Sequence, residues 1–215
     1  MSPVDAWQSP HHRRKRLRQV AMSASILLLA ISPTFFLASG LRINLSQSMP
    51  RGVYRIIAVT RPFTHGDIVA VCPPVSAAAL GRQRGYLGLG SCTGNTEPLV
   101  KVVVALHGDT VSLGPRGVMV NGRTLPESAY LRSDTAGRPL AHWSCERCAI
   151  PAGKIWLYAP SWRSWDSRYW GPVSERDIKG KAVPIFAKLP EMISALIHQT
   201  AHYPNCTRRR FWKFK

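Results

Sequence analysis

Between Gln19 and Gly40 the chain carries no charged side chain. This run, QVAMSASILLLAISPTFFLASG, is about 22 residues long, and at about 1.5 Å per residue it spans a hydrocarbon core of about 30 Å as a helix. Arg13, Arg14, Lys15, Arg16 and Arg18 stand immediately before it. That order predicts a cytoplasmic N-terminus and an exported body. Pro33 would kink such a helix, which a membrane segment tolerates. Ala38-Ser39-Gly40 is a run of small residues, so a cleaved leader is the alternative reading. The apolar stretch is longer than a usual leader core, which favours a retained anchor. Either way the rest of the chain is expected outside the cytoplasm.

The net charge of +18, from 29 Lys and Arg against 11 Asp and Glu, raises the question of nucleic acid. Its distribution argues against that partner. Five basic residues precede the apolar run, and Arg208, Arg209, Arg210, Lys213 and Lys215 supply five more at the end. A fold built around nucleic acid carries its basic stripe on the fold itself. Basic ends beside apolar segments suit an anionic membrane surface. The hydrophobic content of 45% is enough for a core, and 215 residues suit one domain with small additions.

Export changes how the cysteines read, because thiols outside the cytoplasm tend to pair. Cys72 and Cys92 bracket a Gly-rich stretch, PPVSAAALGRQRGYLGLGS, and are candidates to close it as a loop. Cys145 and Cys148 form a CxxC without the second pair that a zinc ribbon needs. Ile150-Pro151 follows it where a redox motif would start a helix, so a disulfide or unpaired thiols is the expectation. Cys206 is left over.

The exported part reads as short strands and turns. Strands are expected over 53–59, 67–72, 99–106, 110–113, 118–120, 154–159 and 181–186. Asn121-Gly122 is a hairpin signal leading into Arg123-Thr124-Leu125. No long helical period is expected before Pro190 to His202, where Met192, Ile193, Leu196 and Ile197 form an apolar stripe. The expected organisation is a basic cytoplasmic segment (1–18), a transmembrane anchor (19–40), a mainly β extracytoplasmic domain (41–187), and an amphipathic helix with a basic tail (188–215). His198 and His202 share a helix face, but Gln199 stands where a metalloprotease helix has Glu. No metal and no cofactor are expected.

Four segments carry the chemistry. They are Ser46-Gln47-Ser48-Met49-Pro50-Arg51-Gly52, Gly66-Asp67-Ile68-Val69, Lys101 to Asp109 (KVVVALHGD), and Ser164 to Val173 (SWDSRYWGPV). In this order and spacing, over about 130 residues behind one apolar segment, they resemble the signal peptidase I family of membrane-bound serine proteases. The closer resemblance is to its conjugative-transfer branch, through Ser48-Met49-Pro50-Arg51-Gly52-Val53-Tyr54-Arg55, Cys72-Pro73-Pro74, Arg84-Gly85-Tyr86-Leu87 and Ala136 to Leu140. It covers roughly residues 20–186.

The residues themselves support such chemistry. A serine hydroxyl is a poor nucleophile without a base in reach. Lys101 lies among Leu99, Val100, Val102, Val103 and Val104, and a lysine desolvated in such a strand loses basicity and can serve as that base. A Ser–Lys pair needs neither His nor Asp. The resemblance implies Ser48 as nucleophile and Lys101 as general base. It implies Ser46 as an oxyanion donor beside the Ser48 backbone N–H, and Ser164 as the serine that orients the lysine. Asp166 and Arg168 match a structural pair near the site.

It further implies a LexA/signal-peptidase-like folded sheet assembly in a single-pass protein of the bacterial inner membrane, with its catalytic domain in the periplasm. The expected substrate is an exported precursor, pilin-like for this branch, within conjugative transfer and a type IV secretion apparatus. Cleavage is expected after small residues, ending in hydrolysis or cyclisation. The alternatives are a general signal peptidase I, a non-catalytic pilus scaffold and a self-cleaving repressor of the same broad fold. One departure stands out. Many family members have Arg after the lysine, paired with Asp before the fourth box; here these positions read Val102 and Tyr158-Ala159-Pro160. Both halves of an ion pair are missing together, which leaves no buried charge unpaired.

Overall fold

The computed structural model describes residues 14–26 and 39–187. Residues 14–26 are helical (α1). Among the described residues no helix is long and apolar enough to cross a membrane. Positions 27–38 of the expected anchor lie outside the described residues, as do the expected C-terminal helix, the basic tail and Cys206. The chain up to Leu41 and the body from Arg42 onward form separate units. The body carries every residue singled out for chemistry.

Chain order begins with β1 (Leu41–Asn44), β2 (Gly52–Ile57), β3 (Ile68–Val71), helix α2 (Val75–Gln83), β4 (Leu89–Cys92) and β5 (Leu99–Ala105). It continues with β6 (Thr110–Gly114), β7 (Gly117–Val120), β8 (Arg123–Thr124), β9 (Cys148–Ala149) and β10 (Lys154–Tyr158). Helix α3 (Ser167–Trp170), β11 (Val173–Ser174), a 3-10 turn (Glu175–Asp177) and β12 (Ile178–Phe186) complete it. A seven-stranded sheet has the order β1-β2-β12-β3-β5-β10-β11, and a four-stranded sheet the order β8-β7-β6-β9.

The run of valines makes β5 a central strand. It pairs antiparallel with β3, Val69 opposite Lys101, and with β10, Tyr158 opposite Val102. Alternation along the strand then divides its side chains between two faces. Val102 and Val104 pack with Trp156, Tyr158 and Ile68 in one cluster, which also takes in Val111, Val118, Val120 and Ile150 around the smaller sheet. Val103 joins Val69, Val71, Ile155 and Leu157 on the other face. Lys101 therefore sits in a strand covered on both sides.

The expected hairpin is present: Asn121 (φ 49°) and Gly122 (φ 82°) both take positive φ, as the primed turn between β7 and β8 requires. One expectation needs correction. The Gly-rich stretch after Cys72, expected as a loop, contains a helix of nine residues, α2. Pro74 stands at its N-cap, and Gly85 at φ 74° follows its C-cap. Its buried side is made of Ala77, Ala78 and Gly81, so the face is made of small residues without a large apolar side chain. A Cβ on Gly81 would lie 2.7 Å from Leu87 and 3.3 Å from the Trp165 indole nitrogen. The close approach that needs glycine is what hides the helix from a reading based on apolar period.

Candidate active site

Ser48 lies in the turn between β1 and β2. Met49 beside it is 2% exposed and anchors the turn in the core, while Tyr54 Oη donates to the Pro50 carbonyl at 2.9 Å. Lys101 lies mid-way along β5 and is 1% exposed. Its Nζ donates to Ser48 Oγ at 3.0 Å and to Ser164 Oγ at 3.0 Å. The three groups come from segments 53 and 63 positions apart and meet in one place. Burial pushes the Lys101 ammonium down to about 8; Asp166 opposes that shift and Arg168 adds to it.

Ser46 lies two residues before Ser48, its Oγ 3.2 Å from Ser48 Oγ, and it donates to Asn44 Oδ1 at 2.7 Å. Ser164 is buried, in the loop between β10 and α3. Asp166 and Arg168 follow it, each 0% exposed, and form a forked ion pair of two 2.8 Å bonds. The two terminal nitrogens of the guanidinium also donate to the carbonyls of Glu127, Ala129, Ala159, Ser161 and Ser164. A single buried cation thus ties the loop bearing Ser164 to the 127–129 segment.

A cleft of about 410 Å³ opens beside Ser48 and Lys101. Leu99 lines it with Lys101, since the two share a face of β5. Trp165 and Tyr86 line another side, their rings 5.5 Å apart edge-to-face. Trp165 also donates to the Ala77 carbonyl of α2 at 3.3 Å. Tyr86 Oη donates to Asp134, which Arg138 holds at 2.7 Å, and Arg84 donates to the Pro139 carbonyl at 2.8 Å. The excursion after Cys72 and the 131–140 loop are thereby clasped together at the cleft.

The two Gly-Asp pairs, Gly66-Asp67 and Gly108-Asp109, lie elsewhere. Asp67 takes Lys181 Nζ at 2.6 Å, and Asp109 takes His65 Nε2 at 2.5 Å, the Leu106 N–H at 2.7 Å and Asn121 Nδ2 at 2.7 Å. They hold loops and do not line the cleft. His107 sits in the turn after β5, its Nδ1 3.2 Å from the Ile150 carbonyl. Cys72 is bonded to Cys92, with Cα atoms 5.4 Å apart, and Cys145 to Cys148. Val102 and Tyr158 are cross-strand partners, and Val102, Tyr158 and Ala159 are all 0% exposed. Where the resemblance leads one to expect an ion pair, Tyr158 lies with the Arg168 guanidinium 5.4 Å over its ring, and the Ala159 N–H donates to Asp166 at 3.2 Å.

Sequence reasoning missed Asn44, which bridges the Ser48 turn, and the aromatic wall of Tyr86 and Trp165. For Asn44 a signal existed: an Asn two residues before a Ser, at the end of a strand, is an Asx-turn pattern.

The profile of the family described as signal peptidase, peptidase S26, matches residues 16–187. A probable conjugal transfer protein TraF of Sinorhizobium fredii is 37% identical over 181 residues, 83% of this chain and 95% of that one. A plasmid transfer protein TraF of Escherichia coli is 32% identical over 173 residues, 80% of this chain and 96% of that one. A signal peptidase I of Leptolyngbya laminosa is 31% identical over 126 residues, 58% of this chain and 53% of that one.

Proposed function

Because the chain belongs to the S26 signal peptidase family and has its mainly β fold, we propose that it is a membrane-anchored serine endopeptidase serving conjugative transfer. Its anchor is the uncharged segment 19–40, its peptidase domain residues 41–187, and its setting the inner membrane of a bacterium with the cleft on the periplasmic side. The substrate is an exported pilin-like precursor handled by a type IV secretion apparatus. The observation that carries this reading is the 3.0 Å contact between Lys101 Nζ and Ser48 Oγ inside a buried environment.

The chemistry follows from that contact. Neutral Lys101 accepts the Ser48 hydroxyl proton as Oγ attacks the scissile carbonyl. The negative charge moves to the carbonyl oxygen, where the Ser48 N–H and the Ser46 hydroxyl are the donors at hand. One such donor is typically worth about 3 kcal/mol of barrier. Protonated Lys101 then gives its proton to the leaving amine, and an acyl-Ser48 ester is left. Ser164 holds Nζ in line throughout. Water attacking the ester, with Lys101 again taking a proton, yields the free acid. The precursor's own N-terminal amine, attacking instead, yields a ring and regenerates Ser48.

Intact mass of the pilin precursor from the same conjugative system, co-expressed with wild type, Ser48→Ala and Lys101→Ala, tests the reading. Trimming by wild type that is lost in both variants is expected. A product one water lighter than the trimmed linear chain identifies cyclisation. Trimming that survives Ser48→Ala overturns the mechanism, and trimming by no form returns the chain to the scaffold alternative.

A further inference from the structure

The nucleophile turn carries a clamp that lies outside all four motif segments. Asn44, the last residue of β1, reaches across the turn with its side chain. Its Nδ2 donates to the carbonyls of Met49 and Pro50, each at 3.0 Å. Its Oδ1 accepts the Ser46 hydroxyl at 2.7 Å and the Ser46 N–H at 3.3 Å. The neighbours dictate this orientation of the amide. Two carbonyls can only accept and a backbone N–H can only donate, so the flipped amide would oppose all three. Met49 already anchors the turn through its buried side chain, and Tyr54 already holds the Pro50 carbonyl. What Asn44 adds is a fixed place for the Ser46 hydroxyl, 3.2 Å from Ser48 Oγ.

Resting on the reading of Ser48 as nucleophile, we infer that Asn44 is the positioning residue of acyl transfer, acting through Ser46. A hydroxyl has one proton. At rest the short bond commits that proton to Asn44 Oδ1, so the rotor is ordered before substrate arrives. When the attacked carbonyl oxygen becomes anionic it is the stronger acceptor, because charge-assisted bonds are roughly twice as strong as neutral ones. The Ser46 O–H turns to it by rotation alone. Asn44 Oδ1 keeps the Ser46 N–H as partner, so the exchange leaves no polar atom orphaned. The two bonds from Nδ2 keep Asn44 itself in place while this happens.

A short peptide ending in an alanine boronic acid tests this, because boron added to Ser48 Oγ is tetrahedral and anionic. With the purified full chain in detergent, Ser46→Ala and Asn44→Ala are each expected to weaken binding between 10- and 100-fold. The double variant is expected to bind within threefold of Ser46→Ala, since Asn44 acts through the hydroxyl already removed. A clamp that merely supports the turn would make the two losses multiply. That result, or Asn44→Ala binding within threefold of wild type, overturns the inference. Asn44→Asp keeps an oxygen beside Ser46 and covers the case in which the alanine variant fails to fold. Relative to wild type it is expected to bind more weakly at pH 8 than at pH 5, because its carboxylate faces the anionic adduct. The same ratio at both pH values also overturns the inference. Binding that persists in Ser48→Ala, or is absent from wild type, instead removes the nucleophile assignment on which the inference rests.

Discussion

Lys101 Nζ is shared between two hydroxyls, Ser48 Oγ and Ser164 Oγ, each 3.0 Å away, with the lysine almost wholly out of solvent. A base this deeply placed can work only when it has lost its proton. With the ammonium pushed down to about 8, peptidase activity is expected to rise with pH and to level off above that value. At pH 6 the neutral fraction is about a hundredth, so kcat/KM for a purified precursor should be about a hundredfold below its plateau. A rate that is flat from pH 6 to 9 would remove Lys101 from the role of base.

Replacing that lysine should trade activity for stability. The unfolded chain keeps the Lys101 proton up to its ordinary 10.5, whereas the folded chain releases it near 8. Between those values the unfolded state binds more protons, so wild-type stability rises with pH across that window; below 8 the cost of burial is fully present. That cost is about 3 kcal/mol, set against two hydrogen bonds of about 1 kcal/mol each. Lys101→Met is therefore expected to be inactive, yet about 1 kcal/mol more stable than wild type at pH 6. The gain should shrink and reverse between pH 8 and 10.5. Urea denaturation of the two proteins at pH 6 and pH 10 measures it, and a variant destabilised at pH 6 contradicts the argument.

The Asp166–Arg168 pair calls for the opposite result. Both side chains are fully buried, and the guanidinium also holds five backbone carbonyls. Arg168→Ala leaves a buried carboxylate without its partner and is expected to cost about 3–5 kcal/mol. Arg168→Lys should recover little of it, because an ammonium cannot reproduce the fork. Thermal unfolding of both variants checks the ranking; a lysine variant as stable as wild type would mean that charge alone suffices.

The bond between Cys72 and Cys92 spans 20 positions of chain. Closing a loop of that length is worth about 3 kcal/mol through the unfolded state. The double variant Cys72→Ala/Cys92→Ala is expected to lose about that much stability, and its cleft wall should lose protection first. Hydrogen exchange resolved to residues 75–92 reads this directly. Uniform loss across the body would instead point to damage in β3 or β5.

How much was legible beforehand depended on what each element displays in sequence. β5 announced itself through a run of valines interrupted by one lysine, and the β7–β8 hairpin through Asn121-Gly122. Both features express their structure in the residues concerned. The Ser48 turn was legible as a motif, but the reach of its clamp was not: the Asx-turn pattern marks the bonds of Asn44 to Ser46, and nothing in sequence marks those from Nδ2 to the Met49 and Pro50 carbonyls. Helix α2 was hidden for the reverse reason. Its packed face is Ala77, Ala78 and Gly81, too small to mark a helical period, and Gly81 lets Leu87 and Trp165 approach. The meeting of Ser164 with Lys101, 63 positions away, was legible through the family resemblance and not through any local pattern.

The disulfide at the root of the α2 excursion has a consequence for how the cleft is built. Everything between Cys72 and Cys92 hangs from one covalent stem. Its far side, Arg84 to Leu87, helps form the rim of the cleft. The stem keeps the two ends of the insert together whatever lies between them, and β3 and β5 are paired to each other independently of it. Lys101 is thus placed from outside the ring, whereas residues inside it reach Trp165 and the 131–140 loop and shape the cleft wall. The arrangement separates two jobs: a sheet that places Lys101, and a looped insert that shapes one wall of the cleft beside it.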